Sequence, residues 1–63
     1  MWALALSLCW LNVTGEMTCE TWHYEPEPTL MACYALADQE EARLRSQRPR
    51  TTAVAKLCNE VRP

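Results

Sequence analysis

The chain has 63 residues, a formal net charge of −2 and 49% hydrophobic residues, with four cysteines and one glycine. This length allows one small domain at most, and domains of this size usually need a disulfide, a metal or a partner to hold a core. The net charge gives no reason to expect binding to nucleic acid or to an anionic membrane, and the single glycine argues against a protein of many tight hairpins. The charges are segregated along the chain: residues 1–15 carry none, seven of the eight acids lie within residues 16–41, and all six bases follow.

The first feature along the chain is the apolar segment Trp2–Leu11, WALALSLCWL. It is too short to span a membrane, which takes about 20 residues, and it has the length of the apolar part of a secretory signal, roughly 7 to 15 residues. Because Val13 and Gly15 are small residues in the position where cleavage is expected, we predict a signal peptide over residues 1–15. The alternatives are a buried strand or helix of the folded domain, or an apolar segment that is never cleaved.

The next segment, residues 16–28, is predicted to be extended. The β-branched and aromatic residues between Glu16 and Tyr24 favour a short strand. The sequence Glu25-Pro26-Glu27-Pro28 then ends regular structure, because each proline lacks a backbone donor and forces the residue before it toward an extended conformation.

Residues 29–63 carry two helical patterns. Thr29 is a possible N-cap for a helix over about residues 30–46, with an apolar stripe made of Leu30, Cys33, Tyr34, Ala37 and Leu44. Pro49 disfavours helix at Arg48, and beyond it a second stripe has the i, i+3, i+4, i+7 spacing of a helix: Val54, Leu57, Cys58 and Val61. The predicted fold class is therefore mainly α: a small two-helix hairpin behind an extended, proline-containing segment, stapled by a disulfide.

Charged residues within the first predicted helix are spaced to form ion pairs. Glu41 and Arg45 lie at i,i+4, and Glu40 and Arg43 lie at i,i+3. Glu41 interrupts the apolar stripe of this helix.

The cysteines are best explained as disulfides. Cys33 and Cys58 lie on the apolar stripes of the two predicted helices, so this pair is favoured. If residues 1–15 are removed, Cys19 is left over, which suggests a disulfide-linked dimer or a free thiol. If they are retained, Cys9 is the local partner for Cys19.

Metal binding and catalysis are not expected. A zinc site would need Cys19 and His23 with Cys33 and Cys58, and only the first two are closely spaced. A cysteine nucleophile with His23 as base would need a third orienting group and a water-excluding pocket, which so short a chain can hardly build. We expect no cofactor.

Two short segments are candidates for recognising a partner. Trp22 and Tyr24 lie beside the stiff proline segment, and these residue types are common at binding hot spots. Arg45 and Arg48 belong to an arginine-rich stretch, residues 43–50, which suits an acidic surface. The alternatives are that Trp22 fills a small core and that the arginines form a solvated helix end.

The prediction from sequence is a small secreted protein that binds an extracellular protein or receptor, without enzymatic activity, nucleic-acid binding or a stable membrane span. One alternative is a truncated or short translation product of a larger extracellular protein, with no autonomous fold. A second alternative is a membrane-associated microprotein whose apolar N-terminus is not cleaved.

Overall fold

The computed structural model describes residues 1–62 and shows a three-stranded antiparallel sheet with one helix packed against it. In chain order the elements are β1 (Trp2–Leu11), β2 (Met17–His23), α1 (Leu30–Gln47) and β3 (Thr51–Glu60). The strand order is β2-β1-β3, so the first strand lies in the middle of the sheet.

The central strand β1 supplies half of the core because its sequence alternates large and small residues. Leu4, Leu6 and Leu8 are 0–1% exposed beneath the helix, while the intervening residues Ala5 and Ser7 lie on the other face of the sheet. Successive side chains of a strand point to opposite faces. Because large side chains recur at every second position, this apolar segment forms a strand whose leucine face is covered by α1.

The helix α1 completes the core with three buried apolar residues. Cys33, Ala37 and Leu44 are 0–2% exposed against the sheet. The predicted helix at about residues 30–46 is thus confirmed as Leu30–Gln47, and the Thr29 hydroxyl caps it by accepting a hydrogen bond from the Ala32 N–H at 3.0 Å. The two predicted ion pairs also form, each with a shortest N–O distance of 2.8 Å: Glu40–Arg43 and Glu41–Arg45.

The prediction of a mainly α protein with a two-helix hairpin is wrong. The second predicted helix is strand β3, which pairs with β1 from Trp2↔Glu60 to Trp10↔Thr51. Val54 and Cys58 are four residues apart, a spacing that places them on one face of a helix and equally on one face of a strand. Thr51, Thr52 and Val54 favour a strand, and β1 offers a full row of backbone partners. Leu57, assigned to the same helical stripe, lies on the opposite face and is 56% exposed.

Two disulfides hold the elements together. Cys33–Cys58 joins α1 to β3 with a Cα–Cα distance of 6.3 Å, and it is the pair favoured from the sequence. Cys9–Cys19 joins directly paired residues of β1 and β2, with a Cα–Cα distance of 4.0 Å. The sulfur of Cys19 is therefore bonded within its own chain here, and is not left over for a second molecule.

The proline segment closes one end of the sheet. The backbone of Glu27 pairs with that of Trp2 through hydrogen bonds of 2.8 and 2.7 Å. This bridge leads the chain from the β2 side of the sheet to the start of α1. The predicted short strand before the prolines is present as Met17–His23.

Candidate binding surface at the loop end

Two loops meet at one end of the sheet, and we call them together the loop-end surface: the β1–β2 turn, residues 12–16, and the α1–β3 loop, residues 48–50. The Leu11 N–H donates to the Arg50 carbonyl at 3.4 Å, and an Arg50 guanidinium N–H donates to the Asn12 carbonyl at 3.4 Å. The two loops are thereby joined where each leaves the sheet.

The β1–β2 turn is built around the side chain of Asn12. Its Oδ1 accepts hydrogen bonds from the backbone N–H groups of Thr14 and Glu16, both at 3.0 Å, and from the Thr14 hydroxyl at 2.7 Å. Gly15 has a φ of 85°, a left-handed conformation that glycine adopts without steric cost. These contacts fix the turn and leave Val13 94% exposed at its tip.

An open groove of about 550 Å³ lies between the two loops. Its walls combine an indole ring, aliphatic side chains and two guanidinium groups. The lining residues are Trp10, Leu11, Asn12, Val13, Gln47, Arg48, Pro49 and Arg50. A groove with this lining can accept an extended segment that carries both apolar and negatively charged groups.

Arg48 lies between two tryptophans at the inner wall of this groove. Its guanidinium carbon is 4.9 Å from the ring centroid of Trp10 and 4.9 Å from that of Trp22, within the range of cation–π attraction. The guanidinium also donates to the Glu20 carboxylate at 3.4 Å. Trp22 and Arg48, predicted separately as binding residues, are thus brought together, and Trp22 also packs on the core.

Arg50 differs from Arg48 in its electrostatic surroundings. The ion pairs among residues 1–62 include Arg48 with Glu20, but none involves Arg50. A backbone carbonyl is the partner of the Arg50 guanidinium, so most of its donors remain available. The groove therefore has one guanidinium that is already paired and one that can bind an added anion.

Tyr24 lies away from the loop-end surface, although it was predicted as a binding residue. Its backbone N–H donates to the Leu4 carbonyl, and Leu4 precedes Trp10 by six residues of strand, or about 20 Å. The Tyr24 hydroxyl is buried without a hydrogen bond of good geometry. Burial, and secondarily the neighbouring Glu40 carboxylate, raise the pKa of Tyr24.

Arg45 is also outside the groove and forms part of an ion-pair network on the outer side of α1. It donates to Glu41 at 2.8 Å, and Lys56 of β3 lies 2.9 Å from both Glu41 and Asp38. Hydrogen bonds from Lys56 and then Arg45 hold the pKa of the Glu41 carboxyl below its ordinary value. The hydrogen bond to Glu41, and then the one to Asp38, raise the pKa of Lys56. This network ties the helix to strand β3.

Of the eight residues that line the groove, the sequence predicts only Arg48 as a binding residue, and Trp10 and Arg50 are the most consequential of the others. Trp10 was assigned to a segment expected to be discarded, and Arg50 was one of several arginines in a charged stretch. The signal for Trp10 was available in the period-two alternation of β1, which places it on the same face as Leu4, Leu6 and Leu8.

Comparison with protein families, with curated proteins and with solved structures finds no match to this chain. Within residues 1–62, no helix combines the length and the apolar character needed to cross a membrane. All four cysteines are in disulfides.

Proposed function

We propose that this chain is a small extracellular protein that acts by binding another protein, and that it binds an acidic segment of that partner in the groove of the loop-end surface. The observation that carries this proposal is the Arg50 guanidinium, which lies without an acidic partner among residues 1–62 beside an apolar wall formed by Trp10 and Val13. A guanidinium can bind a carboxylate through two parallel, charge-assisted hydrogen bonds.

The proposed compartment is supported by the disulfides. Disulfides persist in oxidising surroundings such as the extracellular space and are rare in the cytosol. A chain this small gains a large share of its stability from such bridges. A secreted destination therefore agrees with the chemistry of the cysteines.

The proposed mode of binding relies on a rigid surface. The Trp10–Arg48–Trp22 stack and the Asn12 hydrogen bonds hold both loops in place before any partner arrives. Preordered side chains lose less conformational entropy on binding. An acidic segment would add its carboxylates to Arg50 and rest its apolar side chains on Val13 and Pro49.

The test is a charge-reversal variant with a matched control. Arg50→Glu and Arg62→Glu change the net charge equally, but Arg62 lies beyond the end of β3, at the other end of the sheet. The probe is a fluorescent decapeptide rich in Asp and Glu, with a decapeptide rich in Lys and Gln as its counterpart. We expect Arg50→Glu to weaken binding of the acidic peptide about tenfold or more, equivalent to about 1.4 kcal/mol, and Arg62→Glu to change it little.

Two outcomes would contradict the proposal. Equal losses in the two variants would mean that the peptide responds to net charge alone. Absence of binding to the acidic peptide at low ionic strength, where attraction between exposed charges is strongest, would remove the acidic segment as the ligand.

A further inference from the structure

The face of the sheet opposite α1, which we call the uncovered face, has no element of residues 1–62 packed on it. It is formed by alternate residues of the three strands, and the register places Ala5 beside Leu57 and Ser7 beside Ala55 there. Three of its large apolar side chains are exposed: Leu57 at 56% toward one end of the face, and the paired residues Leu11 at 38% and Met17 at 55% at the other end. The side chains between them are small and uncharged, and an exposed surface of low charge that exceeds a few hundred Å² usually marks an interface.

The uncovered face carries no Asp, Glu, Lys or Arg, whereas the chain has fourteen such residues in other places, eight acids and six bases. Among residues 1–62, the one ionisable side chain on this face is His23. A charged partner would find no complementary groups there. A neutral, apolar partner surface fits, and this face is itself such a surface.

The shape of the uncovered face is complementary to the same face of a second copy. Ala5 and Ala55 are small and leave a shallow floor, and Leu57, which lies opposite Ala5 and two residues from Ala55, projects into solvent. In a two-fold arrangement the same patch meets itself. Leu57 of each molecule would then rest on the alanine floor of the other, as side chains interdigitate between two packed sheets.

The size of the face is sufficient for a weak interface. Two strands of ten residues and one of seven cover about 430 Å² as a plane, at about 3.3 Å per residue and about 4.8 Å between strands. Side chains raise the accessible area above that of the plane, so two copies bury roughly 1,000 Å², the lower limit for a specific interface. The molecule measures 43 × 17 × 14 Å, so the face runs along most of its length.

We propose that a second copy of this chain covers the uncovered face, giving a reversible, non-covalent dimer in which two sheets pack face to face. Both disulfides stay within each molecule in this dimer, so it does not depend on exchange of Cys19. The loop-end surface lies at one end of the sheet and adjoins the uncovered face at Leu11, whereas Leu57 and Ala5 lie toward the other end.

The experiment measures molar mass by sedimentation equilibrium of the intact, oxidised chain, from about 1 μM to about 1 mM, the range that weak interfaces span. We expect a monomer–dimer equilibrium for the parent chain. Leu57→Lys places an unpaired ammonium in the contact, and we expect it to weaken the dimer at least tenfold. Met31→Lys is the matched control, because Met31 is 84% exposed on α1, and it should leave the equilibrium unchanged.

A second variant helps to distinguish loss of the dimer contact from loss of the fold. Ala55→Lys changes the alanine floor without touching Leu57, and circular dichroism together with a thiol assay verifies that each variant keeps its fold and both disulfides. We expect Ala55→Lys to weaken the dimer as Leu57→Lys does.

Three results would overturn the proposal. The first is a monomer at every concentration. The second is a dimer that both lysine variants leave intact, which would place the contact on another surface. The third is a monomer that floats with phosphatidylcholine vesicles and loses this property in Leu57→Lys, which would assign the face to a lipid surface.

Discussion

At the scale of single residues, Arg48 holds the loop-end surface together through three kinds of contact. Its backbone N–H donates to the last carbonyls of α1, its guanidinium stacks on Trp10 and Trp22, and it pairs with Glu20 at 3.4 Å. Each cation–π contact contributes about 0.5–1 kcal/mol, whereas an exposed ion pair contributes about 0–1 kcal/mol. The stack therefore outweighs the ion pair, and a lysine, which lacks a planar group, would not replace Arg48.

Glu41 is the residue for which the structure predicts a pH effect. Its pKa is lowered by hydrogen bonds from Lys56 and Arg45, so the folded state favours its charged form. The resulting stability is present above the ordinary carboxyl pKa of 4.5 and is lost as the pH falls through the lower folded value. We expect Glu41→Gln to lower the free energy of unfolding by about 1 kcal/mol at pH 7 and by much less at pH 3. Urea unfolding at the two pH values measures this.

The control for Glu41 is Glu25→Gln, which removes a carboxyl that forms no ion pair within residues 1–62. It should change the unfolding free energy little at either pH. A Glu41→Gln effect that is the same at pH 7 and pH 3 would contradict the predicted role of its charge.

At the scale of elements, the two disulfides are expected to contribute unequally. Cys33–Cys58 closes a separation of 25 residues and Cys9–Cys19 one of 10 residues. Loop-closure entropy gives about 3.5 kcal/mol for the longer loop and about 2.7 kcal/mol for the shorter. Replacing both cysteines of a pair by alanine should therefore cost more for Cys33–Cys58, which also leaves a cavity beside α1 because Cys33 is fully buried.

The test is urea unfolding of the two double variants, each of which keeps the other disulfide. The losses in unfolding free energy rank the contributions of the two disulfides. The parent chain in its oxidised form is the reference. A greater loss from removing Cys9–Cys19 would show that the link between β1 and β2 stabilises the domain more than the link between helix and sheet.

The elements also show where sequence reasoning succeeds. Helix α1 was predictable to within a residue or two because its signals are local: a capping threonine, strong helix formers and ion pairs at helical spacing. Strand β3 was not predictable in this way, because the spacing of Val54 and Cys58 fits a helix and a strand equally well. Pairing with β1, some fifty residues earlier in the chain, decides between the two. The groove could not be predicted from local sequence either, because Trp10 and Arg48 come into contact only once β1 has paired with β3.

At the scale of the whole molecule, β1 is the element on which the rest depends. It pairs with both other strands and carries the three buried leucines of the sheet. The predicted cleavage after Gly15 would remove this strand, and with it Cys9, the partner of Cys19. The domain described here and a mature chain that starts at Glu16 are therefore mutually exclusive.

We expect that residues 16–63 alone do not form the folded domain. A synthetic peptide of residues 16–63, refolded under oxidising conditions, should lack cooperative thermal unfolding and should retain one reactive thiol, that of Cys19. The full chain should unfold cooperatively and show no reactive thiol. Cooperative unfolding of the shorter peptide would mean that β2, α1 and β3 can assemble without β1.

The antiparallel pairing of β1 with β3 determines which end of the molecule stays free when the chain is attached to another structure. The Met1 amino group donates to the Val61 carbonyl at 3.2 Å, so both extremities of the described chain emerge side by side. The Asn12 turn and Arg50 lie at the far end of a strand about 33 Å long. A tether, tag or neighbouring domain joined at either extremity would therefore hold the molecule by its base and present Arg50 outward.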